Sequence, residues 1–326
     1  MLLQKLSFEI EVFLKGNTRF LAILMDVTIG NKYKLGRRIG EGSFGKVYLA
    51  KDSETNQEVA IKLEHVNTKK KKTLYFEYKC LKILQSDRIP KVMYYGHEGE
   101  YRTLVMELLG PNLEDLFQFC QKKFSLKTAC LLAEQMLTSI EHIHENNLIH
   151  RDIKPTNLVM GLGAKSHVMN IIDLGLAKQF RNPRTSEHIS FTSDHHKDVI
   201  GTPLYASINS HLGMELSRRD DLESIMYCLI YFVKGELPWS ESNPAIPKKS
   251  RLQEVKDIKL STSIEELCHT LPSEFRTFMT YCQSLQFEDR PNYIFLHELI
   301  KDLVRKQGFS SNCDFDWNTK RDLFSQ

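Results

Sequence analysis

The sequence predicts an α+β protein with a small β-rich amino-terminal lobe and a large α-helical carboxy-terminal lobe, on three observations. Between Tyr33 and Lys62, strand-prone runs (Tyr33 and Leu35, Val47-Tyr48-Leu49, Val59-Ala60-Ile61) alternate with turn residues at Asp52–Asn56, as in consecutive short strands. Beyond Ser125 the apolar residues Ala129, Leu132, Ala133, Met136, Leu137, Ile140 and Ile143 recur at helical spacing instead. Between these regimes lies His150-Arg151-Asp152-Ile153-Lys154-Pro155-Thr156-Asn157, preceded by Leu148-Ile149 and followed by Leu158-Val159-Met160. That order suits a tight loop between two buried strands. An Asp with a Lys two residues on and an Asn five on can orient a hydroxyl, neutralise a phosphate and hold a metal, the tasks of phosphoryl transfer.

At 326 residues the chain is long enough for two packed cores, or one large core with a lobe attached. Hydrophobic and charged contents of 41% and 26% are ordinary for a soluble globular enzyme. A net charge of +3 is too small to argue for a nucleic-acid partner. The 7 cysteines are scattered and never form C-x-x-C, which fits idle thiols in a reducing compartment better than disulfides or a zinc site. Residues 1–29 are fairly apolar but interrupted by Lys5, Glu9, Glu11, Lys15, Arg19 and Asp26. Their longest uncharged run, Phe20–Met25, is far short of the roughly 20 residues of a membrane span, and neither a signal peptide nor a mitochondrial presequence fits. The simplest expectation is an extra strand or helix packed on the domain, or a loose extension.

The glycine pattern Gly40-Glu41-Gly42-Ser43-Phe44-Gly45 has two readings. A dinucleotide-binding fold would need a helix straight after the glycines, whereas Lys46-Val47-Tyr48-Leu49-Ala50 reads as a strand. A strand–glycine turn–strand lets backbone N–H groups approach a triphosphate. Lys62 ends the strand Val59-Ala60-Ile61-Lys62, and a buried Lys is costly unless paired. Glu77 is the available partner, on a helix marked by Leu74, Tyr78, Leu81 and Leu84. The run Lys69–Lys72 is most simply a solvated loop.

Leu104-Val105-Met106 reads as a buried strand that Gly110-Pro111 turns. Asn112 then starts a short helix, and Ser125 caps a long amphipathic one over 125–145. His142 and His144, two apart, fall on different faces and read as structural rather than as metal ligands. A strand over Val168–Ile172 leads to Asp173-Leu174-Gly175, where an Asp at a strand end can hold Mg²⁺ against phosphates. A polar loop, with His195-His196 expected to be solvent-exposed, runs from Leu176 to Tyr205. An apolar helix then extends through Ile225–Val233, with Asp221 at its start placed to fix the backbone of the 150–157 loop. Further helices are expected near 274–287 and 294–306, and no internal repeat is present.

The string at 150–157 matches the protein-kinase catalytic loop, H-R-D-x-x-x-x-N. Met106-Glu107-Leu108-Leu109-Gly110-Pro111, Lys123-Phe124-Ser125-Leu126-Lys127-Thr128, Tyr205-Ala206-Ser207-Ile208-Asn209 and Ser217-Arg218-Arg219-Asp220-Asp221 resemble the casein kinase I family. Ser207-Ile208-Asn209 stands where other kinases carry Ala-Pro-Glu, and the resemblance runs from about Tyr33 to Trp317.

The resemblance implies a bilobal protein kinase fold using ATP and Mg²⁺ on Ser or Thr of protein substrates, often in acidic contexts, usually without activation-loop phosphorylation. It implies that Ile39, Gly40, Glu41, Gly42, Ser43, Phe44, Gly45, Lys46, Val47 and Ala60 surround the nucleotide. Met106 narrows the adenine pocket, Glu107 and Leu109 offer it backbone groups, and Asp115 reaches the ribose. Lys62 with Glu77 grips the α/β-phosphates, Asp152 accepts the hydroxyl proton, and Lys154 steadies the γ-phosphate with Thr202 beside both. Asn157 and Asp173 are the metal ligands.

Leu174 stands where most kinases have Phe, and Leu204 where the family usually has an anion-binding Arg; the loop near Thr192–Asp198 is also longer. These changes bear on substrate priming rather than catalysis. The expected division is an extension at 1–29, the amino-terminal lobe and hinge at 30–109, the carboxy-terminal lobe at 110–317 and a short tail at 318–326. A monomer in cytosol or nucleus is expected, with no nucleic-acid partner. A pseudokinase would commonly lack the strand Lys or a metal ligand, yet Lys62, Asp152, Asn157 and Asp173 are all present.

Overall fold

The computed structural model describes residues 27–42, 45–67, 73–191, 198–240, 247–310 and 312–319. Expectations on the Lys69–Lys72 run, Ser43, Phe44, His195-His196 and residues 1–26 lie outside them. So does most of the tail. The chain divides into two compact units, one up to Gly110 together with Ile172–Gly175, the other holding Pro111–Ile171 and the chain from Leu176 on.

The first unit is a six-stranded antiparallel sheet in the order β1-β2-β3-β4-β6-β5. Its strands are β1 (Thr28–Ile29), β2 (Tyr33–Gly42), β3 (Gly45–Asp52), β4 (Glu58–His65), β5 (Val92–Glu98) and β6 (Tyr101–Glu107). Thr28 and Ile29, the last residues of the expected extension, belong to this sheet, and the Val27 carbonyl beside them accepts from the Leu35 amide. Ile29 pairs with Tyr33, and Val27 and Ile29 sit in the core. Strand periodicity sorts β4 into two faces. Val59, Ile61 and Leu63 enter the apolar core with Leu35, Tyr48, Ala50 and Val105. Ala60, Lys62 and Glu64 therefore point to the opposite face.

Gly42 pairs with Gly45 across the β2–β3 hairpin, and β3 follows with no helix between. That excludes the dinucleotide-fold alternative. Gly45 is required sterically, since a Cβ there would meet the Leu63 carbonyl oxygen at 2.4 Å. The one helix assigned to this unit among the described residues, α1 (Thr73–Ile83), buries Leu74, Glu77, Cys80 and Leu81. Glu64 secures its first turn, accepting hydrogen bonds from the Thr73 hydroxyl and the Leu74 amide. Arg102 holds the other oxygen of Glu64 at 3.0 Å.

The second unit opens with α2 (Leu113–Phe119), capped by Asn112 through the Asp115 amide, and α3 (Leu126–Glu145), capped by Ser125 through the Thr128 amide. The short strands β7 (Leu148–Ile149), β8 (Leu158–Met160), β9 (Met169–Ile171) and β10 (Lys178–Gln179) form two antiparallel pairs, β10 with β7 and β8 with β9. The 150–157 segment thus leaves one buried two-residue strand and enters another buried strand, as its flanking apolar residues predict.

The helices α4 (Ile208–His211), α5 (Arg218–Lys234), α6 (Lys248–Ser261), α7 (Ile264–Leu267), α8 (Ser273–Ser284) and α9 (Tyr293–Lys306) follow. Helix α5 is buried along nearly its whole length and packs on α3 and α8. At its start Asp220 accepts from the Ser217 amide at 2.7 Å, and the helix ends at Gly235, whose φ of 96° suits glycine.

Candidate active site

In the first unit, β4 projects Lys62 onto α1. Its Nζ is 2.7 Å from Glu77 Oε2 and 2.8 Å from Asp173 Oδ1. Asp173 comes from the four-residue return of the chain, adopts a left-handed φ of 64° and is followed by the fully buried Leu174. Burial alone would lower the Lys62 pKa, but the charges of Glu77 and Asp173 outweigh it and hold the ammonium protonated. Burial pushes the Glu77 carboxyl up to about 7, and the Asp173 charge adds to that. Once Glu77 is ionised, two carboxylates against one cation leave an excess negative charge. A divalent cation on the partly exposed carboxylate of Asp173 would neutralise it, and its oxygen donors are of the hard type Mg²⁺ takes. Among the described residues no cluster of three or more His, Cys, Asp or Glu side chains could hold a metal. Mg²⁺ does not need one, since it is bound through one or two protein oxygens plus phosphates.

Ile39 is exposed on β2 and Ala60 is buried on β4, while Gly40, Lys46, Val47, Met106 and Leu109 are half-buried. Of Glu41 and Gly42 the structure gives only the strand. The Glu107 amide already donates to the Lys91 carbonyl at 2.8 Å, so what Glu107 can offer an adenine from its backbone is its carbonyl.

In the second unit, Asp152 is the centre. Its Oδ2 accepts from Lys154 Nζ at 2.7 Å and from Asn157 Nδ2 at 3.3 Å. Its Oδ1 accepts from the Thr202 hydroxyl at 2.8 Å, and the same hydroxyl accepts from Lys154 Nζ at 3.0 Å. Asn157 Nδ2 also donates to the Asp152 carbonyl at 2.9 Å, which turns the amide oxygen of Asn157 away from Asp152. Asp115 is exposed and its carboxylate accepts from Asn112 Nδ2 at 2.7 Å.

The backbone of this loop is fixed from α5. Asp221 accepts from the amides of His150 and Arg151, each at 2.8 Å, and from His144 Nε2 at 2.9 Å. Arg151 has a left-handed φ of 68°, costly for a non-glycine residue unless its surroundings hold it. Although burial acts to raise the Asp221 pKa, these donors and the neighbouring imidazoles keep it below the ordinary carboxylate value. Burial lowers the His144 pKa, and the neutral ring that donates to Asp221 accepts from the Tyr293 hydroxyl through Nδ1. His144 is therefore structural, as its spacing from His142 predicts.

Sequence reasoning missed several groups. Asp220 accepts from the Ser207 hydroxyl at 2.7 Å and from Asn209 Nδ2 at 2.9 Å, and Glu223 accepts from the Ile208 amide at 2.8 Å. Together they seat Ser207-Ile208-Asn209 on α5. The acidic run at 220–223 was the available signal. Lys259 was missed as well. It is buried on α6 with its ammonium among the carbonyls of Pro203, Leu204 and Ala206.

Gly201 has φ +88°, and a Cβ there would lie 2.5 Å from the Arg151 carbonyl oxygen. Gly201→Ala is therefore expected to push Thr202 off Asp152. It should destabilise by about 1–3 kcal/mol and lower phosphate transfer roughly tenfold or more. A thermal melt and initial rates check both.

A lysine buried against paired carboxylates, and a second carboxylate–ammonium pair closed on a hydroxyl, are groups suited to moving a phosphoryl group from a nucleotide. The fold and these two constellations define a phosphotransferase. Residues 33–304 match the family model for the protein kinase domain, and the chain belongs to that family. Membership brings the bilobal α+β architecture and implies ATP use and protein substrates. No helix among the described residues is long and apolar enough to cross a membrane.

Proposed function

We propose that the chain is a serine/threonine protein kinase of casein kinase I type, transferring the ATP γ-phosphate to Ser or Thr in acidic contexts and active without activation-loop phosphorylation. The observation that carries this is the Thr202 hydroxyl, bonded to the Asp152 carboxylate and to the Lys154 ammonium. A substrate hydroxyl in that setting would find a base for its proton and a cation for the incoming phosphate.

In this reading Asp152 orients the hydroxyl and accepts its proton, and Lys154 stabilises charge on the transferring group. Lys62, braced by Glu77, grips the α/β-phosphates beneath the 40–45 turn. Ile39, Lys46, Val47, Ala60 and Met106 enclose the base and sugar with the backbone of Glu107 and Leu109, and Asp115 meets the ribose. Asp173 and Asn157 would hold Mg²⁺, which when bound neutralises the phosphate oxygens. Positioning and charge supply most of the acceleration, since little covalent work falls to the protein. The intact Lys62, Asp152, Asn157 and Asp173 favour an active enzyme over a pseudokinase scaffold. A monomer in the cytosol or nucleus completes the proposal.

Labelled-phosphate transfer from Mg-ATP to matched acidic peptides bearing Ser, Thr or Tyr tests it. Label on Ser and Thr peptides is expected, and label confined to Tyr, or none, overturns it. With Leu204 in place of the usual cation, phosphate-primed and unprimed peptides should differ by less than about tenfold, since one lost charge contact is worth roughly 1–2 kcal/mol.

A further inference from the structure

Lys259 has no part in the roles above, yet it is one of the most deeply buried cations in the protein, 2% exposed. Its Nζ donates to the Ala206 carbonyl at 2.6 Å and the Pro203 carbonyl at 3.0 Å, with the Leu204 carbonyl at 3.4 Å. His211 Nε2 lies 3.3 Å away. The ammonium is 4.7 Å from the ring centroid of Tyr227 and 4.8 Å from that of Trp239, within cation–π range. Among the described residues no carboxylate reaches it as an ion pair. The nearest acidic influence is Glu223, whose carboxylate is bonded to the Tyr227 hydroxyl at 2.6 Å.

Burying an ammonium without a counter-charge is expensive, and burial pushes this one down to about 7. A Leu or Met would fill the same space at no such cost. What the ammonium adds is donors aimed at the backbone of 203–206. That segment is held a second time by Trp239 Nε1, which donates to the Leu204 carbonyl at 2.8 Å. It turns directly out of Thr202, whose own carbonyl accepts from the amides of Tyr205 and Ala206 at 2.9 Å. A shift of 203–206 is thus passed to the Thr202 hydroxyl and so to Asp152 and Lys154.

We infer that Lys259 is a positioning residue for the phosphoacceptor: its ammonium, held under the rings of Tyr227 and Trp239, ties down the carbonyls of Pro203, Leu204 and Ala206 and thereby sets Thr202 against Asp152 and Lys154. The inference rests on the serine/threonine kinase reading. It assigns Lys259 to the peptide side of the reaction, not to the nucleotide.

The test compares wild type with Lys259→Met, which keeps length but has no donor, and Lys259→Arg, which keeps a cation. Peptide kcat/KM, equilibrium affinity for an ATP analogue, and hydrogen exchange at the 201–206 amides are read for each. Lys259→Met is expected to lose roughly 10- to 100-fold in peptide kcat/KM, with nucleotide affinity within about twofold and faster exchange at 205 and 206. Lys259→Arg should recover most of both losses. If Lys259→Met does not fold, Trp239→Phe should show a smaller loss in the same direction. Peptide kinetics and exchange equal to wild type, or nucleotide affinity falling in step with peptide turnover, overturns the inference. Absence of transfer in wild type counts against the kinase reading alone, because the exchange comparison still decides whether Lys259 holds the segment.

Discussion

Lys62→Met should give a folded protein that transfers phosphate at less than about one per cent of the wild-type rate, the usual consequence of removing one preorganised charge from a transition state. Removing one member of a buried ion pair commonly costs about 3–5 kcal/mol because a charge is left stranded. Here the stranded group has an escape. Glu77 is already pushed up to about 7 by burial, so without Lys62 it takes a proton and becomes neutral.

The sign of the pH effect follows. A carboxyl whose folded pKa exceeds its ordinary value of 4.5 binds more protons folded than unfolded above that pH. Stability therefore falls as pH rises through the window up to and beyond 7. Lys62→Met should accordingly melt higher at pH 6 than at pH 8, by a wider margin than wild type. Circular dichroism melts and initial rates check the pair of effects, and a variant retaining transfer removes Lys62 from the site. Asp173→Asn should lose transfer as severely from the metal side, with the Lys62–Glu77 pair left intact.

Asp221→Ala is the second large effect, and it falls on stability and rate together. The substitution strands the amides of His150 and Arg151 and the Nε2–H of His144, all given to one carboxylate. Buried donors without acceptors cost about 1–3 kcal/mol each, and a total near 3–5 kcal/mol should lower Tm by about 10 °C. Released from these bonds, Arg151 need not keep its left-handed conformation, and Asp152 shifts with it. Transfer is expected to fall roughly 100-fold although Asp221 never approaches a substrate. Asp221→Asn, which keeps shape and one acceptor, should lose less of each. An Asp221→Ala protein melting like wild type would remove the carboxylate from its structural role.

Much of this was legible in the sequence because the determinants are local or carry chemical identity. The strand-to-strand setting of 150–157 was written in its flanking apolar residues. The pairing of Lys62 with Glu77 follows from a cation that needs a partner and a helix that turns one acid inward. The place of Asp221 against the loop backbone was readable from an acid opening an apolar helix. Thr202 beside Asp152 and Lys154 was also foreseen.

Lys259 was not, and the reason is physical. Helix α6 is polar, with no apolar stripe to mark an inward face, and the partners of the ammonium are carbonyl oxygens, which every residue possesses. The strand β5 was hidden similarly, since Val92–Glu98 is only half-buried and gives no clean alternation. Glu64 reads as an ordinary strand acid until α1 is placed over it.

The first two turns of α5 carry Asp220 and Glu223, which hold 207–209 through the Ser207 and Asn209 side chains and the Ile208 amide, and Asp221, which holds the amides of His150 and Arg151. Residues 150–151 and 207–209 lie far apart along the polymer, yet they share this single footing. Disruption of the first turns of α5 is therefore expected to loosen both stretches together. A molecule holding only one of the two stretches in place should accordingly be scarcely populated.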